Sequence, residues 1–164
     1  MPIPTFDALS ILETLARYEV DFIVVGGVCA TLHGAPVNTF DIDLVHSRAP
    51  ENIERLLRAL EELDGYFREH GERRLRPAHS HLASSGHQLL MTKAGPLDLL
   101  GTISNDQGYD ELLSQAPVVT IRKGFGVRLL DLATLIAVKE ELGRDKDKAM
   151  LAVLRHTLEE KGKQ

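Results

Sequence analysis

The sequence has little of what disulfide-linked, thiolate-metal and membrane proteins require. Cys29 is the one cysteine among 164 residues, so the chain can form neither an internal disulfide nor a thiolate cage around a metal ion. Its longest apolar stretches, near 22–32 and 132–138, fall short of the roughly 18 residues that a membrane span needs. The first residues, MPIPTFDALS, also lack the basic and apolar pattern of a secretory signal. We therefore expect a cytoplasmic protein with no membrane partner.

An excess of positive charge is also absent. Lysine and arginine number 19 against 24 aspartate and glutamate residues, which gives a formal net charge of −5. Proteins that follow the phosphates of a long duplex carry a basic surface, so an extended duplex DNA site is excluded. A small anionic ligand held by a few groups stays compatible with this charge.

The composition and hydrophobic pattern predict one α+β domain over 1–164, a mixed β-sheet backed by helices. Hydrophobic residues make up 43% and charged residues 26% of the chain, as in ordinary globular proteins. Periodicity predicts strands over 22–25, 41–45, 88–92, 97–103, 118–121 and 127–130. It predicts helices from an N-cap at Thr5 to about Tyr18, over 28–34, from Pro50 to about Gly65, and in a C-terminal helical segment from about 131, interrupted at 143–145. Residues 68–86 show no periodicity and are predicted to form a loop or a weak edge strand.

Three acidic residues on two predicted strands point to metal chemistry. Asp41 and Asp43 lie two positions apart at the start of a strand, so their carboxylates point to the same side. Their mutual repulsion is relieved by a divalent cation. Asp98 lies in the apolar run LDLL, where a carboxylate is costly unless it reaches a cleft or shares that cation. We interpret the three carboxylates as a site for two Mg²⁺ ions.

A pair of glycines follows the first predicted strand. Gly26 and Gly27 end that strand and begin a short helix, where exposed backbone N–H groups favour a phosphate. Beside the carboxylates, this turn predicts a nucleotide phosphate next to magnesium. Taken singly, a structural turn and an exposed strand start are the alternative interpretations of the two motifs.

These motifs resemble a known family. The run GGVCATLHGAPVNTFDIDLV, followed by GPLDLLG and then by LLDLATLIAVKEELGRDKDKAM, is similar to the nucleotidyltransferase superfamily with the polymerase-beta-like fold. Within it, the sequence most resembles small bacterial AbiEii-like and minimal nucleotidyltransferase domains. The resemblance extends from about Phe22 to Leu154 and leaves 68–86 uncovered.

The resemblance implies a set of functional residues. It implies that the metal ligands, which are also the catalytic residues, are Asp41, Asp43 and Asp98. It implies phosphate contacts by Gly26 and Gly27. A C-terminal element that approaches the nucleotide is implied to contain Lys139, Arg144, Lys146 and Asp147.

The implied reaction is the Mg²⁺-dependent transfer of a nucleoside monophosphate from an NTP such as ATP to a hydroxyl group. The acceptor is open among RNA, a small molecule and a protein. Asn38 stands where many relatives have an arginine before Thr-x-Asp-x-Asp, which removes one positive contact to the triphosphate. Three hypotheses therefore stay open: an active enzyme, an impaired module that binds a nucleotide or a regulatory protein partner, and a toxin blocked by a cognate antitoxin.

Four histidines form the other conspicuous cluster. His70, His79, His81 and His87 lie close together in the chain, and His79 and His81 on one strand face would suit zinc or copper. A polar loop is the favoured alternative, because the segment offers few further ligands.

Overall fold

A seven-stranded mixed β-sheet organises the chain. The protein was analysed as a computed structural model, which describes residues 6–71 and 73–163, with the side chain of Lys146 excepted. The strands are β1 (Phe22–Val25), β2 (Ile42–His46), β3 (Tyr66–Phe67), β4 (His87–Thr92), β5 (Gly95–Leu100), β6 (Val118–Arg122) and β7 (Phe125–Leu129). Their order in the sheet is β3-β4-β5-β2-β1-β7-β6. The predicted α+β class with a mixed sheet is confirmed.

Seven α-helices lie within the described residues and accompany the sheet. They are α1 (Ala8–Arg17), α2 (Gly26–Leu32), α3 (Pro50–Glu62), α4 (His79–Ala83), α5 (Tyr109–Leu112), α6 (Leu132–Leu142) and α7 (Asp145–Gly162). Helix α3 contacts α1 and α4, whereas α6 contacts α2 and α7. All four residues of β1 are buried, so helices and loops cover both faces of the sheet at its centre. Within the described residues, no helix is long and apolar enough to cross a membrane.

Two helix starts differ from the predicted ones. Thr5, the predicted N-cap of the first helix, lies outside the described residues, and Asp7 caps α1 by accepting a hydrogen bond from the Ser10 N–H at 3.0 Å. Helix α2 begins at Gly26 instead of residue 28, directly after β1. The predicted break between the two C-terminal helices is confirmed, because Gly143 ends α6 at φ 60°.

The segment 68–86 contains a helix that the sequence pattern does not reveal. Helix α4 buries Leu82 completely, and this is its only buried side chain. A five-residue helix with one buried position has no periodicity for a pattern to detect. His79 and His81 therefore lie two positions apart on a helix, which places them on different sides, and the proposed strand face for a metal does not exist.

A buried asparagine joins the two central strands at the sheet end opposite the glycine turn. Asn52 on α3 is fully buried. Its side-chain oxygen accepts a hydrogen bond from the Asp21 N–H at 2.7 Å, and its amide donates to the Asp21 and Ser47 carbonyls at 3.1 and 2.8 Å. Asp21 precedes β1 and Ser47 follows β2, so this single side chain satisfies the backbone where both strands meet the helix layer.

Replacement of Asn52 by alanine is expected to destabilise the protein by about 2–4 kcal/mol, because a fully buried side chain and its three hydrogen bonds to the backbone are lost. Urea unfolding followed by circular dichroism measures the change. Glu54→Ala, at an exposed position of the same helix, is the matched control and should change the free energy of unfolding by less than about 0.5 kcal/mol. Equal stability of the two variants would contradict this role of Asn52.

Candidate active site

Strand register brings three carboxylates together. Strands β2 and β5 run parallel with Asp43 opposite Asp98, so both side chains project from the same face. Asp41 lies two positions before Asp43 and shares that direction. One carboxylate oxygen from each of the three residues lies within 4.8 Å of the others. In the described parts of the chain, this is the one group of His, Cys, Asp or Glu residues with the spacing of a metal site.

The crowding and burial of the carboxylates change their acidity. Burial, followed by the neighbouring Asp41 and Asp98 carboxylates, raises the pKa of Asp43 to about 7, against the opposite effect of Lys139. The pKa of Asp41 is also raised, first by burial and then by Asp98. Both shifts mean that the site resists holding its full negative charge when no cation is present.

The glycine turn packs against Asp43 and Thr39 in the segment that carries Asp41 and Asp43. Gly26 has φ +71°, and a Cβ atom there would overlap the carboxylate of Asp43. A Cβ atom at Gly27 would lie 2.9 Å from the hydroxyl oxygen of Thr39, which donates to the Asp41 carbonyl at 2.9 Å. Close packing against the Asp-x-Asp segment therefore already explains both glycines. Their contact with a phosphate stays a prediction.

The C-terminal element reaches the same site. Lys139 on α6 and Arg144, which precedes α7, both line the cleft that contains the three carboxylates. Behind them, the buried Asp147 carboxylate accepts hydrogen bonds from Lys139 Nζ at 3.4 Å and from Arg144 Nε at 2.7 Å. Asp147 is thus placed to orient the positively charged side chains of Lys139 and Arg144. Asp147 does not line the cleft itself. The side chain of Lys146 lies outside the described part of the structure.

The cleft has a volume of about 530 Å³ and two chemically different walls. The acidic wall is formed by the three aspartates and the glycine turn. An apolar wall is contributed by Leu130, Leu135 and Val138, beside Lys139 and Arg144. A cleft of this size with few charged groups at defined positions is typical of small-ligand sites.

An arginine that sequence reasoning did not assign to the site contacts it directly. Arg68 Nη1 donates to Asp98 Oδ1 at 2.6 Å and to the Leu90 carbonyl at 2.9 Å. In the sequence, Arg68 is 30 residues from Asp98 and begins the segment without periodicity, so no motif links the two residues. Only the pairing of β3 with β4 and of β4 with β5 brings them together.

The remaining sequence candidates lie outside this cluster. Asn38 is exposed in the loop between α2 and β2. Cys29 is buried in the core, and its thiol donates to the Leu130 carbonyl at 3.2 Å. Among the described residues, the histidines of the 70–87 segment form no group of three with metal-ligand spacing. His70 and His81 instead pack edge-on against Phe67.

The donor set fits a hard divalent cation. Three carboxylates supply the oxygen ligands that Mg²⁺ prefers, and burial and neighbouring carboxylates raise the pKa values of Asp41 and Asp43. Asp41, Asp43 and Asp98 are therefore the residues that would hold such an ion.

Comparisons with known proteins support the fold. No family model matches the sequence, and no curated protein matches it. Among solved structures, the crystal structure of a proposed nucleotidyltransferase from Thermotoga maritima is similar, with a TM-score of 0.55 and 18% sequence identity. The match covers 92% of this chain and 89% of that one. The chain therefore has a nucleotidyltransferase-like fold, and its similarity to the AbiEii-like group stays a prediction from the motifs.

Replacement of Asp43 by asparagine is expected to stabilise the metal-free protein. The pKa of Asp43 in the folded state, about 7, exceeds its unfolded value, so its contribution to stability declines as pH rises through the range between the two values. The melting temperature of Asp43→Asn in EDTA should therefore exceed that of wild type by about 3 °C at about pH 8, and by less at about pH 5.

The same melts with Mg²⁺ test the ligand role. Mg²⁺ should raise the melting temperature of wild type and should raise that of Asp43→Asn much less. Asp110→Asn, at an exposed position of α5, is the control and should respond as wild type does. An equal Mg²⁺ response in wild type and Asp43→Asn would exclude Asp43 as a ligand.

Proposed function

We propose that this protein transfers a nucleoside monophosphate from an NTP to a hydroxyl acceptor in a reaction that depends on Mg²⁺. The observation that carries the proposal is the cleft itself. Three carboxylates from paired strands face a volume that Lys139 and Arg144 also line, within a nucleotidyltransferase-like fold. One cleft thus combines ligands for a cation with cationic groups for a polyphosphate.

The acidic side chains would hold the divalent metal ions in this proposal. When bound there, divalent metal ions would neutralise polyphosphate charge and lower the pKa of the acceptor hydroxyl. Asp41 and Asp43 hold their carboxylates at the start of β2, with Gly26 and Gly27 packed against that segment. Asp98 has one oxygen bonded to Arg68, and its other oxygen stays available to the cleft.

The basic side chains of the cleft would bind the triphosphate of the NTP. Lys139 is mostly buried, with 12% of its side chain exposed, and Asp147 holds it in place. A fixed positive charge at this position would bind the triphosphate or the leaving pyrophosphate as the oxygen of the acceptor displaces it from the α-phosphorus. Arg144 adds a second positive charge, and both side chains line the cleft, whereas Asn38 does not. Lys146 and the glycine turn complete the proposed nucleotide contacts.

The acceptor is proposed only as a hydroxyl group, with RNA, a small molecule and a protein as candidates. A toxin role with an antitoxin or regulatory partner, and a cytoplasmic location, belong to the same proposal as expectations from the sequence motifs. A second candidate function is a nucleotide-binding module without catalysis. Two observations favour it: Asn38 replaces an arginine common among relatives, and Arg68 occupies one oxygen of Asp98.

Label transfer separates the two functions. Purified protein is incubated with α-labelled NTPs, Mg²⁺ and each acceptor class, with EDTA as the blank. We expect transfer by wild type and a loss of at least about 100-fold in Asp41→Asn and Asp43→Asn, because each change removes a metal ligand. Asp110→Asn should transfer at the wild-type rate. Nucleotide binding with no label transfer to any acceptor would favour the module.

Replacement of Lys139 by methionine tests the cationic wall. The variant keeps most of the packing of α6 but removes one positive charge, so Mg·ATP should bind about tenfold more weakly. Calorimetric titration measures this affinity, and Mg²⁺ alone should bind at least as tightly as in wild type. Lys148→Met, at an exposed position of α7, is the control. Unchanged Mg·ATP affinity in Lys139→Met would remove Lys139 from the site.

A further inference from the structure

Arg68 gives the carboxylate cluster a positive charge of its own. Its bond to Asp98 Oδ1 is an ion pair between two side chains that are 25% and 12% exposed. An ion pair with this little exposure is weakly screened by water and salt, so it influences the cluster more than a surface pair would. The guanidinium also acts on Asp41, whose carboxylate it favours in the charged form.

Arg68 is held in place independently of Asp98. Its Nη1 carries two hydrogens, and the second bond of this nitrogen goes to the Leu90 carbonyl. Its backbone N–H donates to the Leu89 carbonyl at 3.2 Å. Leu89 is the residue paired with Asp98 across β4 and β5. The guanidinium is therefore fastened to the strand beside the cluster.

The lysine and the arginine that line the cleft make their ion pairs elsewhere. Lys139 and Arg144 both bond to Asp147, which lies behind them. Among the described residues, Arg68 is the basic side chain that makes an ion pair with one of the three clustered aspartates. Arg68 thus compensates the cluster by direct contact in the absence of metal, whereas Lys139 acts on Asp43 without an ion pair to it.

We propose that Arg68 is a built-in counter-cation of the cluster, a positioning residue that keeps the three carboxylates assembled without metal and competes with divalent cations for Asp98. This inference rests on the proposed function, in which the three carboxylates bind a divalent cation. Because Arg68 bonds to Oδ1, it fixes the orientation of Asp98 and leaves the other oxygen free. Its positive charge attracts the carboxylates and so stabilises the metal-free protein. The same charge repels an incoming divalent cation, which raises the metal concentration needed for binding.

The test measures metal-free stability and metal affinity, and neither readout requires a turnover assay. Arg68→Gln should lower the melting temperature in EDTA by about 5 °C and tighten Mg²⁺ binding by about tenfold. Arg68→Lys, which keeps the charge, should recover a large part of both differences. Arg73→Gln makes the same chemical change at an exposed position of the same segment and should leave both quantities unchanged.

A double-mutant cycle identifies the partner. In an Asp98→Asn background, Arg68→Gln should lower the melting temperature by less than half as much, because the charge that Arg68 compensates is gone. If Arg68→Gln does not fold in EDTA, the Asp98→Asn double variant should restore folding. Failure to restore it would show that Arg68 acts through packing, and the proposal would be overturned.

The outcomes distinguish this inference from the proposed function. Weaker or unchanged Mg²⁺ binding by Arg68→Gln, in a protein whose wild type binds Mg²⁺, overturns the competition and leaves the proposed function standing. Absence of Mg²⁺ binding by wild type overturns the proposed function and the competition together. In that case the stability cycle alone reports whether Arg68 compensates Asp98.

Discussion

Repulsion among three carboxylates is the constraint on which the rest of the site depends. Strand register places Asp43 beside Asp98, and Asp41 completes a cluster whose oxygens lie within 4.8 Å of one another. Burial opposes the ionisation of Asp41 and Asp43, and like charges at this separation add to the effect. The neighbouring structure accommodates the cluster: Gly26 leaves room for one carboxylate, and the Arg68 guanidinium binds another. A sheet built for stability alone would not place these groups together.

Positive charge is distributed around the cleft in two ways that have different consequences. Arg68 forms an ion pair with Asp98 of the acidic cluster, so a carboxylate of the protein itself compensates its charge. Lys139 and Arg144 are held by Asp147 from behind, so their charges are directed but not cancelled at the cleft surface. This division permits a cation and a polyphosphate to bind in the same volume, because each meets groups of the opposite sign.

The sequence predicted the parts of the site that depend on local pattern. The alternation of Asp41 and Asp43 and the apolar strand around Asp98 predicted three carboxylates that the structure does bring together, because a period of two fixes side-chain direction. Arg68 could not be predicted in this way, since its contact with Asp98 depends on two strand pairings across residues with no repeat. Helix α4 was not predicted for a related reason: its single buried residue, Leu82, makes no periodic pattern. Both features depend on tertiary contacts, which no local motif encodes.

The central claim is that the three aspartates form one site for a divalent cation. Anomalous diffraction from crystals grown with Mn²⁺ and a non-hydrolysable NTP analogue tests it most directly, because the signal locates the metal without assumptions about activity. We predict an anomalous peak bounded by the carboxylates of Asp41, Asp43 and Asp98, with the polyphosphate extending toward Lys139. A map with no peak at this position, in crystals where the analogue is bound, would contradict the account.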